Sequence, residues 1–283
     1  YCSISGFGEN GPYAGYPVYD PLVQALSSLA SIQGGSDEAR PRLVRTIVPD
    51  KLTGYVAAQA ITAALLARAN GAPGQHVHVS MLDAVIDFLW HSDMNSQTFV
   101  GDEFDQAKAA SFIDLIYETT TGYISVAVQT DKEWQALLAA LGTPEWNDDP
   151  RFATPAARQD NINARLEMTQ AQLVENSAEH WLERLTAHGV PCAPVLTRTD
   201  LLSHEQIAAN AILVETDHEQ AGRLRQARPA ARFSAMPQPD FRGAPPLGAD
   251  TAAALRESGY DADAIQALFD DGAAADGKDA PTP

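Results

Sequence analysis

Cysteine is nearly absent from this 283-residue chain: Cys2 and Cys192 stand far apart, which excludes a disulfide framework and a cysteine-based zinc site. Positive charge is scarce as well. Nineteen Lys and Arg face 37 Asp and Glu, a formal net charge of −18. That balance argues against a nucleic-acid groove or an anionic membrane surface, both of which need concentrated positive charge. It leaves room for an anionic small ligand, because a helix N-terminus and a few cations can hold one inside an acidic protein. With so few cysteines a reducing cytoplasm is the default expectation; the longest apolar stretches are interrupted short of a bilayer span, and no secretory signal is visible. No internal repeat recurs at a fixed period.

Apolar residues make up 45% and charged residues 20%, an ordinary globular composition for one large or two smaller domains. The chain opens on Tyr1-Cys2-Ser3-Ile4-Ser5, which reads as a strand already under way, so a fragment lacking its N-terminal portion is expected. Strand and helix signals then alternate as in α/β layers. A loop rich in Gly, Pro and Tyr runs from Gly6 to Pro17. Leu22, Val23, Leu26, Leu29 and Ile32 have helical spacing, stopped by Gly34-Gly35. A long helix from Asp50 to about Asn70 is apolar nearly all round, and burial is expected for it. Gln75 to Val79 alternates as a strand, and Ser80 with Asp83 forms a capping-box pattern before the next helix.

Residues 96–110 read as a linker and residues 111–198 as a second, small α/β unit. In it, Tyr117–Tyr123 is a strand and turn leading into Ile124–Val128. Thr130 and Glu133 make a capping box before Trp134, Leu137, Leu138 and Leu141, with Gly142 as the stop. Helices around 164–176 and 177–188 precede an extended Pro-rich connector, Val190–Val195. Residues 199–269 are mixed, with short helices near 251–258 and 263–269, and 270–283 is a disordered acidic tail.

Gly6-Phe7-Gly8-Glu9-Asn10-Gly11 spells G-x-G-x-x-G after a strand, yet Pro12 and Pro17 follow and no helical period begins before Leu22. A dinucleotide turn needs a helix there to receive the pyrophosphate, so a glycine loop shaping a pocket wall is the better reading. His76 and His78 share one strand face, but no nearby Cys, His or carboxylate pattern completes a metal shell. Cys192, between prolines, reads as packing, and Arg40, Arg42 and Arg45 as a solvated loop. Asp50 is the residue with two readings. An Asp before a long helix is most often an N-cap. The same place suits a carboxylate that stays ionised and oriented beside backbone N–H groups able to stabilise an oxyanion. Gly54 at i+4 leaves one helix face open to something bulky. The residues alone leave both readings standing.

The ordered series resembles the family III CoA-transferases, the group holding formyl-CoA transferase, carnitine-related CoA-transferases and α-methylacyl-CoA racemases. The matching stretches are Ser5–Gly8 with Gly11-Pro12-Tyr13, Tyr19–Ala25, Asp50–Gly54, Gly74–Ala84, Gly122-Tyr123-Ile124, the Trp134 helix, Asp149–Phe152, Gly189–Val195 and Pro246-Leu247-Gly248. The resemblance implies an α/β protein. A dinucleotide-fold-like large domain, incomplete here, would span 1–95 and take back 199–269, beside the small α/β domain, with two subunits interlocked as a homodimer.

It further implies Asp50 as catalytic nucleophile and CoA or substrate contacts at Gly6, Gly8, Tyr16, Pro17, Val18 and Tyr19. No permanently bound cofactor and no metal are expected. A coenzyme A thioester would be a substrate, with a small carboxylic acid as its partner in exchange. The racemases carry a His where Tyr19 stands; a phenol with an ordinary pKa near about 10 suits α-proton abstraction poorly, which favours transfer over racemisation. Only Gly101 occurs in 96–117, so the glycine-run loop of formyl-CoA transferase is not matched. The other readings are an acyl-CoA racemase or epimerase and an inactive fragment with only a binding or assembly role.

Overall fold

The structure, a computed structural model, describes residues 1–35, 37–101, 115–218, 221–236 and 243–275. The chain divides into two compact units, Tyr1–Val195 and Leu196–Pro283.

The first unit starts with β1 (Cys2–Ser5), then α1 (Asp20–Leu26), α2 (Leu29–Gly34), α3 (Val48–Ala69), β2 (Val77–Ser80) and α4 (Met81–Trp90). β1 and β2 pair in parallel, from Cys2↔Val77 to Ser5↔Ser80. Parallel neighbours need a long crossover, and α1 to α3 supply it. The single helix expected from Leu22 to Ile32 is two. Ser28 adopts a left-handed conformation (φ 69°) between them. Serine hydroxyls compete for backbone partners and so favour helix ends; the break also lets Val23 of α1 and Leu29 and Ile32 of α2 reach one apolar cluster with Val85 and Leu89.

The burial expected for α3 is not found. Only Pro49, Thr53 and Ala57, an i, i+4 row, are buried, while Tyr55 is 77% and Leu66 63% exposed. The partners that α3 has in this chain, chiefly α4 and β2, cover one narrow stripe of it. Its length and composition would also suit a bilayer span, contrary to the sequence reading of interrupted apolar runs. Its place between two paired parallel strands is that of a crossover helix.

Three antiparallel strands follow, β3 (Ile116–Thr119), β4 (Gly122–Val126) and β5 (Cys192–Pro194), ordered β3-β4-β5. Helices α5 (Asp131–Leu141), α6 (Pro155–Asp160), α7 (Ile162–Leu173) and α8 (Ala178–Ala187) lie between β4 and β5 in the chain. Trp134, Ile124, Leu138, Phe152, Leu173 and Leu185 form a second, fully buried apolar cluster. The Thr130–Glu133 capping box is complete, and Gly142 closes α5 in a left-handed conformation (φ 77°). β5 occupies the stretch expected to be an extended connector; at the end of the sheet order, the N–H that Pro194 lacks is tolerated. Cys192 is partly buried and packs against this cluster.

The second unit contains α9 (Glu205–Asn210), the antiparallel pair β6 (Leu213–His218) and β7 (Gly222–Ala227), α10 (Thr251–Glu257) and α11 (Ala262–Asp270). The β6–β7 pair was hidden in the sequence because charge rather than apolar alternation marks it: Glu215 pairs with both Arg223 and Arg225 at 2.6 Å. Most of the expected linker, from 102 onward, lies outside the described residues, as does the tail beyond 275; Asp270 is the last residue of α11.

Candidate active site

Strand β1 delivers the chain into the glycine loop, which stays non-helical until Asp20. The G-x-G-x-x-G stretch is therefore no dinucleotide turn, as its prolines indicated. Gly6 is held by its carbonyl, which accepts from the Leu82 N–H at 3.0 Å. A Cβ at Gly6 would lie 2.4 Å from Val18 Cγ1. Close approach thus requires glycine there, and it brings Gly6 against the Tyr16–Tyr19 segment. Gly8 turns the loop with φ 98°. Tyr13 bridges the loop through ring contacts with Phe7 at 5.4 Å and Tyr16 at 4.9 Å. Pro17 and the rings of Tyr16 and Tyr19 face solvent, while Val18 turns inward toward the first apolar cluster.

Asp50 is not the N-cap of α3. The helix begins at Val48, its cap position is Ile47 with no side-chain cap bond, and Asp50 is the third helical residue. Its side chain is exposed and in the first turn, where the helix dipole favours an anion. Of the backbone donors beside it, the Asp50 N–H acts only weakly, on Asp20, and its neighbours are engaged or missing. Val48 N–H donates to Thr46 O at 2.9 Å, Pro49 has no N–H, and Lys51 N–H donates to Ile47 O at 3.2 Å. Nothing would meet a Cβ at Gly54, so that face of α3 is open.

The residue that sequence reasoning missed is Asp20, next to Tyr19. It is 7% exposed, and its partner Gln24 is 1% exposed. Gln24 Nε2 donates to Asp20 Oδ1 at 2.5 Å and to Val44 O at 3.2 Å, and Gln24 Oε1 accepts from Val44 N–H at 2.9 Å. This pair ties α1 to the segment leading into α3. Asp20 Oδ2 is buried without a well-aligned hydrogen-bond partner. The Asp50 amide and carboxylate both act on the Asp20 carboxyl from α3, the amide only as a weak donor. Burial, the largest influence, pushes the Asp20 carboxyl above its ordinary value; the Gln24 bond pulls it down and the Asp50 charge adds to the rise. The sequence shows Asp20 and Gln24 as an i, i+4 polar pair beside Val23, but the spacing does not say that this face is buried.

A polar cleft of about 460 Å³ runs between the glycine loop and the start of α4, lined by Phe7, Gly8, Glu9, His78, Ser80 and Asp83 among others. His78 Nδ1 lies 2.9 Å from Glu9 Oε2 and 3.3 Å from Ser3 Oγ. Both contacts fall on one ring nitrogen, so the imidazole cannot relay a proton from Ser3 to Glu9 as a hydrolytic triad does. His78 and then Ser3 hold the Glu9 carboxyl below its ordinary value. Among the described residues, no group of three or more His, Cys, Asp or Glu is arranged to hold a metal.

Gly6 thus sits against Val18, just before α1, Asp50 of α3 acts on Asp20 next to Tyr19, and Gly8 lines the polar cleft. Among curated proteins, the acetyl-CoA:oxalate CoA-transferase of Acetobacter aceti is 30% identical over 91% of this chain and 66% of its own length. The succinyl-CoA:glutarate CoA-transferase of Mus musculus is 26% identical over 95% of this chain and 62% of its own. This chain therefore spans about two thirds of their length. Among solved structures, a CAIB/BAIF family protein from Brucella suis matches with TM-score 0.72 and 27% identity over 91% of this chain and 67% of that one. The orthorhombic form of Rv3272 from Mycobacterium tuberculosis matches with TM-score 0.71 and 24% identity over 83% and 63%, a likeness of fold. The family profile of CoA-transferase family III matches residues 1–251, and the chain belongs to that family.

Proposed function

We propose that this protein is a CoA-transferase that moves CoA from an acyl-CoA thioester to a small carboxylic acid through a covalent intermediate on Asp50. One observation carries the reading: the Asp50 carboxylate is not engaged in capping α3, and it stands exposed in the helix's first turn beside the Tyr19–Asp20 step. An ionised, oriented and accessible carboxylate is what nucleophilic attack on a thioester requires.

In the proposed sequence an Asp50 oxygen adds to the thioester carbonyl, the C–S bond breaks, and CoA thiolate leaves a mixed aspartyl anhydride. The thiolate then attacks the Asp50 carbonyl, releasing the first acid and forming an aspartyl thioester. The incoming carboxylate attacks that thioester and expels the thiolate. Attack of the thiolate on the new acyl group regenerates the Asp50 carboxylate. Charge balances at each step, and no proton is consumed. Each addition passes through a tetrahedral oxyanion. With the Val48 and Lys51 amides engaged and Pro49 without one, the Asp50 N–H and the Gly6–Gly11 loop are the candidate donors. Tyr16 to Tyr19 would contact the CoA or acyl group, and the partner assembly would be a homodimer. A phenol rather than an imidazole at Tyr19 favours transfer over α-proton exchange.

The test is a turnover experiment on the purified protein with acyl-CoA, quenched with hydroxylamine or borohydride. The expected result is a mass change on the peptide containing Asp50, and loss of both label and exchange in Asp50→Asn. An unmodified peptide under turnover, or full exchange by Asp50→Asn, would refute the covalent role. Deuterium incorporation at the α-carbon without an acceptor acid would point to the racemase.

A further inference from the structure

We propose that Asp20 is a positioning residue for acyl transfer: its buried carboxyl, locked by Gln24, keeps the charge of the carboxyl pair on Asp50 and aims that carboxylate outward. This deepens the proposed function and rests on Asp50 being the nucleophile.

Where α1 packs on α3, the Asp50 carboxylate acts on the Asp20 carboxyl, and the two have unequal surroundings. Asp20 is 7% exposed, whereas Asp50 is open to solvent. A proton shared by such a pair goes to the group that solvent cannot reach, because an unsolvated anion is the costlier state. Burial, the largest influence, pushes the Asp20 carboxyl up and the Asp50 charge adds to the rise, against the opposing Gln24 and Asp50 amide bonds. The Asp20 Oδ1 is already committed to Gln24, whose own amide is fixed by Val44. That leaves Oδ2, buried and without a good partner, as the oxygen that carries the proton. A neutral carboxyl there can donate to one Asp50 oxygen and leave the other free for attack. An ionised one would repel Asp50 and swing it away. Asp50 of α3 is the charged group acting on Asp20, and its neighbour on α1, Gln24, is neutral.

Asparagine is the neutral isostere of a protonated aspartate, whereas alanine deletes the donor and removes one partner of the buried Gln24 amide. Asp20→Ala is expected to lower kcat roughly ten- to hundredfold, the size of a lost hydrogen bond to a charged group, with KM for acyl-CoA within about threefold. Asp20→Asn is expected to recover most of that loss and to leave the acid limb of the kcat–pH profile in place. An ionised Asp20 would predict otherwise: removing its charge would move the limb to lower pH. The proposal is overturned if Asp20→Ala leaves kcat intact, if kcat and KM change together, or if Asp20→Asn shifts the acid limb downward by about one pH unit. Should Asp20→Ala fail to fold, the Asp20→Asn profile decides. Labelling of Asp50 in the unsubstituted protein separates the two failures: with label and no Asp20 effect, only the positioning idea falls; without label, the nucleophile reading falls first.

Discussion

A single methyl group at Gly6 is expected to disturb the proposed substrate segment more than any other change of that size. The added Cβ would meet Val18 Cγ1 at 2.4 Å, Cβ at 2.6 Å and Cγ2 at 2.7 Å. The backbone cannot retreat freely, since the Gly6 carbonyl accepts from Leu82 N–H at 3.0 Å at the start of α4. Overpacking of this kind costs about 1–3 kcal/mol, and with three sub-contact distances and a pinned backbone Gly6→Ala belongs at the upper end. The alternative to that loss of stability is for Val18 to move, carrying Tyr16–Tyr19 with it and raising KM for acyl-CoA.

Gly8→Ala is the internal control. Nothing would meet its Cβ, so its cost is the left-handed backbone alone, about 1–2 kcal/mol, without a steric clash for another residue to relieve. Urea denaturation of Gly6→Ala, Val18→Ala, Val18→Gly and the double variants separates these effects. Because the Val18 Cβ is itself within 2.6 Å, Val18→Ala should rescue Gly6→Ala only in part, and Val18→Gly should relieve the clash. A coupling of about 1 kcal/mol or more is expected between positions 6 and 18 and none between 8 and 18. If Gly6→Ala matches the unsubstituted protein within about 0.5 kcal/mol with unchanged KM, or if Val18→Gly merely adds to its damage, the close-approach argument is wrong.

Ser80→Ala should cost about 1 kcal/mol in urea melts, because the buried Ser80 hydroxyl accepts from Asp83 N–H at 3.0 Å and caps α4. Equal midpoints for the two proteins would deny the cap its role. For Glu133, hydrogen bonds from the Gln129 and then Thr130 backbones hold the carboxyl below its ordinary value. A depressed folded-state value means stability that is present above the unfolded-state value, near about pH 4.3, and is lost as pH falls through the lower folded value. Glu133→Gln should therefore flatten the acid end of the stability curve; an identical acid slope would show that the capping box contributes nothing there.

What could be read from the sequence was whatever local chemistry determines. The α5 cap and stop, Thr130 with Glu133 and then Gly142, are set by residues within one turn of each other, and the structure reproduces them. The rejection of a dinucleotide turn was equally local, since Pro12 and Pro17 cannot sit in the required helix. The misses lie where distant partners decide. Apolar residues around α3 were read as a buried helix, yet whether a face is covered depends on what other elements reach it, and here one i, i+4 row is met. The β6–β7 pair depends on Glu215 finding Arg223 and Arg225 across the sheet, a pairing that no apolar period announces. The site residues quoted from the family resemblance lie on few elements, but Asp20 entered only through its burial, which no spacing within α1 discloses.

Asp50 shows how one residue's register separates a structural role from a chemical one. Sequence allows an aspartate before a long helix to be a cap, and a cap would commit its oxygens to backbone N–H groups of the first turn. The chain instead starts α3 three residues earlier than a cap at Asp50 would, with Val48 and Pro49 as its opening positions. Proline is favoured there because its missing N–H is one the helix would leave unpaired anyway. Pro49 thus fits an opening position of a helix that starts upstream of Asp50, where no backbone donor is lost. Displaced inward, the carboxylate keeps the favourable dipole of the first turn without the geometry to cap it. Its acidic neighbour Asp20 is the better buried of the two and therefore the better place for a proton. Accessibility is thus left on the residue that the family resemblance casts as nucleophile. Were the helix to start after Asp50 instead, its carboxylate would be committed to the Leu52 or Thr53 N–H, and exchange would fall although every side chain proposed for the chemistry was retained.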